Sequence, residues 1–362
     1  MSDDRQVSRS ARPLYLWGAA GLVAISIVAV LFAGHTNANK LAAQDASHLP
    51  VGPPVPSVPA LASRGWLNTA PLTNADLAGK VVLYDFWTYS CVNCVRTIPY
   101  VRAWYDRYRA DGLVIIGVHS PEFDFEKVHS NVASAVARLH VTWPVVFDDQ
   151  MTIWDAFANQ YWPADYIADR AGRERATHFG EGDYANTEDI LRILLGVSPS
   201  SPRAAIGASP APTTPPAITP ETYLGTARGE AGTRPGPAQY PEPGPVATNQ
   251  ARLVGGWIGN ADDVQASAAG AAVLLAYRSR EVNLVLAAAG GPVDVYVELD
   301  GRPLAPSYRT LQTLVDGQGR TYVHVDNSDM YRLVLGPAVE DHLLRLTAAG
   351  PGLQAYAFTF GT

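Results

Sequence analysis

Two long stretches of this chain differ in how their apolar residues are spaced. Between residues 61 and 197, short apolar runs alternate with longer amphipathic segments, which predicts an α/β domain with a mixed central sheet and helices on both faces. The run at 113–118 is apolar throughout, as expected of a strand buried on both faces. Between residues 246 and 362, short apolar runs are separated by turns without a helical segment, which predicts an all-β sandwich.

A third pattern lies near the N-terminus. Residues 14–32 include no charged side chain, and this length is enough for a helix to cross a bilayer. Three arginines precede the run and a single lysine follows closely, so the positive-inside rule places residues 1–13 in the cytoplasm and the domains outside it. We therefore predict a single-pass transmembrane anchor at residues 14–34. A cleaved signal peptide, which would give a secreted protein, is the alternative.

Proline, glycine and small polar residues mark the connecting segments. Residues 35–60 are predicted to be a tether, and residues 198–245 a proline-rich linker. A chain of 362 residues exceeds one ordinary core, which agrees with two domains at 61–197 and 246–362. The formal net charge of −7 and the absence of a Lys/Arg-rich run argue against nucleic acid as a partner.

The candidate chemistry is concentrated in one tetrapeptide. Cys91-Val92-Asn93-Cys94 contains both cysteines of the chain and directly follows the predicted strand at 81–87. At the start of a helix, aligned peptide dipoles and free N–H groups favour a thiolate at Cys91, and Cys94 lies one turn further on, within reach of a disulfide. We therefore predict thiol–disulfide exchange with Cys91 as the nucleophile and Cys94 as the resolving thiol. The redox-active disulfide is the only cofactor that this chemistry needs.

Other uses of a CxxC pair stay open as alternatives. A structural disulfide is one, whereas a zinc site needs two more ligands and the chain has no second cysteine pair. Haem attachment needs a histidine directly after the pair, where Val95 stands. A peroxidase would use Thr88, three residues before the first cysteine, but Tyr84 occupies the position of the proline found in peroxiredoxins. A copper carrier would need a downstream histidine such as His178.

Four further residues are candidates for the site. Asp85 lies six residues before the first cysteine, and on a central strand it would be buried behind the pair. A buried carboxyl has a raised pKa and can exchange a proton with the second thiol. Glu122 follows the next predicted strand, at the sheet edge where the site would lie, and is a candidate for the substrate groove. Trp87 and Trp162 are predicted to pack in the core and to shape that groove.

These residues together resemble the thioredoxin superfamily. The resemblance is carried by Asp85-Phe86-Trp87 before the cysteines, by Pro99 five residues after them, and by Pro163 far downstream. It implies a thioredoxin-like domain in which Pro99 kinks the cysteine-bearing helix and Pro163 is the cis-proline that faces the two sulfurs and presents backbone to a substrate. Residues 120–146 resemble the insertion of the exported TlpA/ResA-like branch.

A more extensive resemblance, over residues 65–362, is to the C-terminal periplasmic region of DipZ-type proteins. The matching stretches are residues 86–94, 96–105, 117–123, 161–163, 179–182, 219–225 and 355–361. The resemblance implies a sandwich similar to carbohydrate-binding modules, and protein disulfides or dithiols as substrates. DipZ-type proteins carry a multi-helix, electron-carrying membrane part where this chain has one predicted anchor. A membrane electron donor of the DipZ/CcdA type and a role as reductase are therefore implied.

A second hypothesis belongs to a different class of protein. The chain could be a cell-envelope glycan-binding or redox-sensing protein in which the thioredoxin-like part is a scaffold. Aromatic side chains of the predicted sandwich could stack on cell-wall glycan, although most aromatics in such folds form the core. The direction of exchange, the physiological partner and the ligand of the sandwich stay open at the level of sequence.

Overall fold

The computed structural model describes residues 46–62, 65–205, 217–229 and 231–362. The predicted cytoplasmic tail at 1–13 and the predicted anchor at 14–34 lie outside these ranges. Within them, no helix combines the length and the hydropathy that crossing a membrane requires.

A six-stranded mixed sheet forms the centre of the α/β domain. The strands are β1 Trp66–Leu67, β2 Val81–Trp87, β3 Leu113–His119, β4 Val145–Phe147, β5 Ala164–Ala168 and β6 Glu174–Phe179. Their order across the sheet is β1-β4-β3-β2-β5-β6. β2 pairs in parallel with β3 and antiparallel with β5, so it lies in the interior of the sheet, and all seven of its residues are buried.

Helices cover both faces of this sheet. Those of the described residues are α1 Val58–Leu61, α2 Asn74–Leu77, α3 Val92–Tyr108, α4 His129–Arg138, α5 Thr152–Ala156 and α6 Tyr184–Leu195. Because side chains alternate along a strand, β2 contributes to two cores. Leu83 and Trp87 pack with residues of α3, whereas Tyr84 and Phe86 pack on the opposite face. The α/β architecture predicted from the sequence is confirmed.

The C-terminal β region, residues 217–362 without residue 230, consists of eleven strands in one sheet. They are β7 Thr222–Tyr223, β8 Gly236–Tyr240, β9 Gln250–Gly259, β10 Val264–Ala266, β11 Ala272–Ala288, β12 Val293–Leu299, β13 Arg302–Pro303, β14 Leu314–Val315, β15 Thr321–Val325, β16 Asp329–Ala348 and β17 Leu353–Gly361. The long strands β11 and β16 pair antiparallel, with register shifts near Ser279 and Val282. The described part of the region contains no α-helix, so the prediction of a β-rich second half is confirmed.

Two segments predicted as connections make regular contacts instead. β7 and β8 lie inside residues 198–245, the predicted linker, and pair with β17 and β9. Near the end of the predicted tether at 35–60, the guanidinium of Arg175 donates hydrogen bonds to the carbonyl oxygens of Ala46, Leu49 and Pro50. Proline-rich composition removes N–H donors but leaves carbonyl acceptors and edge-strand positions available, which composition alone does not reveal.

The two parts of the chain are in contact. Phe123 of the α/β domain is buried in a cluster with Val285, Ala287, Tyr356 and Ala357 of the C-terminal β region. Polar contacts accompany this cluster: Tyr89 with Ser328, Arg96 with Glu281, Glu122 with Tyr223 and Arg228, and Arg138 with Asp329. We call this set of contacts the domain interface.

The packing of β3 against two tryptophans gives a first prediction. A Cβ atom added at Gly117 would lie 3.0 Å from the indole nitrogens of both Trp87 and Trp143, which are fully buried. Gly117→Ala should therefore lower the free energy of unfolding by about 1–3 kcal/mol, measured by denaturant unfolding. Gly244→Ala is the matched control, since a Cβ there meets no atom within 4 Å. Equal unfolding midpoints for the two variants would contradict this packing.

Candidate active site

Cys91 and Cys94 lie at the start of α3. Cys91 is the N-cap residue, and its sulfur accepts a hydrogen bond from the backbone N–H of Cys94 at 3.3 Å. Cys91 is partly exposed, whereas Cys94 is fully buried. One sulfur is therefore reachable by a substrate, and the second lies behind it, as a nucleophile and a resolving thiol require.

The environment of Cys94 favours its protonated form. Burial raises the pKa of the Cys94 thiol well above its ordinary value, and a hydrogen bond to Cys91 and the negative charge of Cys91 raise it further. The backbone of Thr88 acts in the opposite direction. Cys94 consequently needs a base before it can act as a nucleophile.

Asp85 is placed to be that base. It lies on β2 between Leu83 and Trp87, whose side chains share a core cluster with Cys94, so alternation along the strand directs Asp85 to the same face. Burial raises the pKa of Asp85 to about 7. Its Oδ1 has no hydrogen-bond partner among the described residues. A carboxyl with this pKa can take up a proton from a thiol and release it again near neutral pH.

Pro163 follows a cis peptide bond with Trp162. This agrees with the position that the family resemblance gives to the cis-proline. The Pro163 carbonyl accepts a hydrogen bond from the N–H of Gly180 at 2.8 Å. Trp162 is half-buried; its indole N–H donates to the carbonyl of Ser120 at 3.0 Å, and its ring packs on that of Trp154. Trp162 is thus held in place with part of its surface open, as the wall of a groove would be.

Comparisons with known proteins agree with this geometry. Residues 51–188 match the family model described as Redoxin, and residues 219–361 match the one described as Thioredoxin like C-terminal domain. The chain is 33% identical over 120 residues to the thiol-disulfide oxidoreductase YkuV of Bacillus subtilis, a match that covers 33% of this chain and 78% of YkuV. The chain belongs to the thioredoxin-like thiol-disulfide oxidoreductases.

Relatives of this oxidoreductase include larger proteins. It is 36% identical over 308 residues to Protein DipZ of Mycobacterium tuberculosis and of Mycobacterium bovis, which covers 82% of this chain and 41% of each relative. The chain thus spans about two fifths of the length of these relatives. It is 28% identical over 124 residues to the thiol-disulfide oxidoreductase ResA of Geobacillus thermodenitrificans, covering 34% of this chain and 67% of ResA. The resemblances stated from the sequence are confirmed.

Trp87 of the oxidoreductase is buried to 1% exposure. Its ring packs edge-on against the ring of His119, with 5.3 Å between the centroids. Burial to this degree leaves no surface for a substrate, so Trp87 shapes the groove only through core packing. The sequence showed that Trp87 lies at the end of a strand but not which helices would cover it.

Glu122 lies in the domain interface. Its carboxylate accepts a hydrogen bond from the Tyr223 hydroxyl at 2.8 Å and forms an ion pair with Arg228 at 2.8 Å. Both partners belong to the C-terminal β region. The predicted groove position is therefore corrected: Glu122 does lie at the sheet edge, but the second domain covers its carboxylate.

Glu126 is a candidate site residue that no sequence pattern indicated. Its carboxylate is fully buried and accepts hydrogen bonds from the Ser90 hydroxyl at 2.6 Å and from the N–H groups of Glu122 and Phe123 at 2.7 and 3.0 Å. Burial raises the pKa of Glu126 to about 7. Because Ser90 directly precedes Cys91, Glu126 joins the cysteine loop to the residues that form the domain interface. Glu126 lies in a 3-10 turn at Asp124–Lys127, just before α4.

Asp165 is a second missed residue. It lies directly opposite Asp85 in the antiparallel β2–β5 pair. Burial raises the pKa of Asp165, and the charge of Asp85 raises it further. Two carboxyls this close ionise as a pair and retain a proton between them to higher pH than either would alone. The sequence signal was an acid two residues after Pro163, but its partner depends on strand register.

The zinc and copper alternatives would each need metal ligands in addition to the two cysteines. Among the residues that the structure describes, no three His, Cys, Asp or Glu side chains are grouped as a metal site requires. His178 lies on β6, opposite Asp165 in the β5–β6 pair.

The buried carboxyl on β2 gives a prediction on stability. The pKa of Asp85 is about 7 in the folded protein against an ordinary value of 3.8, so its contribution to stability is full below about pH 4 and is lost as the pH rises to 7. Asp85→Asn carries no charge and avoids that loss. At pH 8 the variant should be more stable than the parent by on the order of 2–4 kcal/mol, and the difference should vanish near pH 4.

Denaturant unfolding at both pH values measures this difference. Asp76→Asn is the control, because hydrogen bonds from Thr73 lower the pKa of this exposed carboxyl, and its loss should therefore not stabilise the protein at pH 8. If Asp85→Asn raised the free energy of unfolding equally at pH 4 and pH 8, Asp85 would not titrate between these values, and the prediction would be wrong.

Proposed function

We propose that this chain is a membrane-tethered, extracytoplasmic reductase of protein disulfides. The observation that carries the proposal is the pair of unlike sulfurs at the start of α3: Cys91 partly exposed, Cys94 buried. Asp85 behind the pair supplies a base for the second sulfur. The membership in the thiol-disulfide oxidoreductases supports the same chemistry.

The reaction follows from these positions. The Cys91 thiolate attacks one sulfur of a substrate disulfide, and the other substrate sulfur leaves as a thiolate and takes up a proton. Cys94 then gives its proton to Asp85 and attacks the Cys91 sulfur of the mixed disulfide. The bond to the substrate breaks, so the substrate leaves as a dithiol and the Cys91–Cys94 pair is oxidised. Two electrons from a membrane donor restore the dithiol.

The location and the electron donor rest on the resemblance to DipZ. We propose that residues 14–34 anchor the chain and that both domains, at 61–197 and 246–362, lie outside the cytoplasm. A donor of the DipZ/CcdA type, itself in the membrane, would reduce the Cys91–Cys94 disulfide. The 36% identity to DipZ across both matched domains supports this arrangement.

For the C-terminal β region we propose a sandwich that serves as a docking module for the α/β domain. Strand β11 pairs with β16 on one side and with β9 and β17 on the other, with register shifts along its length, so the sheet can bend around one apolar core. Of the aromatics that could stack on sugar, Tyr296 and Tyr322 are half-buried, whereas Trp257, Tyr277 and Tyr331 are buried in that core. Their burial favours packing over glycan binding.

The cysteines themselves provide the direct test. Cys91→Ser should abolish reduction of insulin disulfides, because Cys94, the other thiol of the chain, is buried and cannot reach the substrate. Cys94→Ser should retain the first attack but lose turnover and accumulate a mixed disulfide between Cys91 and the substrate, detected by mass spectrometry. Each variant is the control of the other. Full activity in both would refute the mechanism.

The direction of exchange is set by the reduction potential. A reductase should have a potential below about −200 mV, in the range of thioredoxin and glutaredoxins, whereas an oxidant of the DsbA kind lies near about −120 mV. Equilibration of the purified protein with glutathione buffers, followed by thiol alkylation, measures this value. A potential near that of DsbA would overturn the assignment as a reductase and leave the oxidoreductase chemistry in place.

A further inference from the structure

Three ionisable residues lie side by side on neighbouring strands of the α/β domain. Asp85 on β2 is directly opposite Asp165 on β5, and Asp165 is directly opposite His178 on β6. Residues opposed in this way share one face of the sheet, and their Cβ atoms are about 4.5–5.5 Å apart. The three side chains therefore form a row across the sheet.

The row leads from the buried sulfur to an edge of the sheet. Its face is the one covered by α3, because Leu83 of β2 and Ile167 of β5 belong to the core cluster of Cys94. β6 is the last strand in the sheet order, and His178 on it is half-buried. Asp85 is fully buried, whereas Asp165 and His178 are both half-buried, so the row passes from the protein interior to solvent.

Unpartnered polar atoms occur at both ends of the row. Asp85 Oδ1 and His178 Nε2 are buried atoms without a hydrogen-bond partner among the described residues. Buried polar atoms in native proteins nearly always have a partner, so an exception needs an explanation. The backbone of Gly180 favours the protonated His178 ring, and Nε2 has no partner among the described residues, so Nε2 is available to accept a proton.

We propose that Asp165 and His178 carry the proton of Cys94 from Asp85 to solvent at the β6 edge. Asp85 lies on the same face of β2 as the core around Cys94 and acts on its charge, and Asp165 and His178 act on the resolving step through Asp85. The inference rests on the proposed thiol–disulfide exchange and adds to it the route by which the buried proton leaves.

Each step of this route moves one proton, and the one bond that forms replaces one that breaks. Cys94 loses its proton to Asp85 and, as a thiolate, forms a bond to the Cys91 sulfur while the bond between Cys91 and the substrate breaks. The proton passes from Asp85 to Asp165, and from Asp165 to Nε2 of His178. The doubly protonated His178 ring then releases a proton to water on the exposed part of its side chain, at the sheet edge. Carboxyl and imidazole groups exchange protons over such spacings directly or through one water molecule.

The surrounding charges suit a transient carrier. Asp85 faces Cys94 and Asp165, Asp165 also faces Tyr184 of α6, and His178 also faces Asp183. Burial lowers the pKa of His178, although the charge of Asp183 and the bond to Gly180 act in the opposite direction. A neutral imidazole at neutral pH can accept the proton that the carboxyl pair releases.

The experiment separates the two sulfur steps with a small aromatic disulfide, 5,5′-dithiobis(2-nitrobenzoate). Attack by Cys91 on the reduced protein releases one coloured thiolate, and attack by Cys94 on the resulting mixed disulfide releases the second. Stopped-flow absorbance across a pH series gives a rate for each phase. This probe needs no knowledge of the natural substrate.

Three variants report on the route. Asp85→Asn should slow the second phase at pH 7 by about tenfold or more, and Asp165→Asn and His178→Gln each by about three- to tenfold, because a positioned proton acceptor has been removed. The first phase should change by less than about twofold in all three, since Cys91 does not depend on this route. Imidazole added to the buffer should restore the second phase of His178→Gln. His324→Gln, an exposed histidine of β15 paired with Asp294, is the matched control and should leave both phases unchanged.

The outcomes are distinguishable. If Asp165→Asn and His178→Gln keep the parental rate and pH profile of the second phase while Asp85→Asn slows it, the proposed route is wrong. A slow His178→Gln that imidazole does not restore also overturns it, since the loss is then structural. If Asp165→Asn does not fold, His178→Gln at the sheet edge decides alone. A parent protein without a first phase would instead refute the proposed function.

Discussion

Burial of β2 on both faces is the constraint on which the site depends. All seven residues of the strand are buried, because α3 packs on one face and a second core lies against the other. A carboxylate in such surroundings is costly to ionise, so Asp85 retains its proton up to neutral pH. The same strand leads into the loop that ends at Cys91. The boundary between water and protein interior therefore falls between the two sulfurs. As a result, Cys91 is accessible as the nucleophile and Cys94 is the buried resolving thiol.

The features of the site that depend on residues close together in the sequence could be predicted from the sequence. The cysteine pair after a buried strand was sufficient to place Cys91 at a helix N-terminus and Cys94 one turn inside it, because helix geometry has a fixed period. Spacing alone also placed Asp85 on the buried strand. The position of Pro163 came from the family resemblance and coincides with a cis peptide bond. In the second half, alternation and turns were enough to predict a β-rich region, because they report the period of a strand.

What the sequence did not reveal depends on pairings between distant segments. The positions of Asp165 and His178 next to Asp85 depend on strand register. A shift of one residue in the pairing would place their side chains on the opposite face of the sheet. Glu126 lies in a short 3-10 turn, and its bond to Ser90 joins residues 36 positions apart in the sequence. Glu122 was expected in a groove, but a domain more than ninety positions away in sequence covers it. Composition did not predict that contact, because the residues on both sides of the domain interface are of types common on protein surfaces and in cores.

The hydrogen bond between the Tyr89 hydroxyl and the carbonyl of Ser328 joins residues 239 positions apart, and Tyr89 stands two residues before Cys91. A ribosome completes the cysteine pair long before it reaches Ser328. During synthesis, the nucleophile therefore exists for a time on a nascent chain whose surrounding loop has not gained its final contacts. The loop before Cys91 therefore reaches its final structure only after the C-terminal β region has been synthesised.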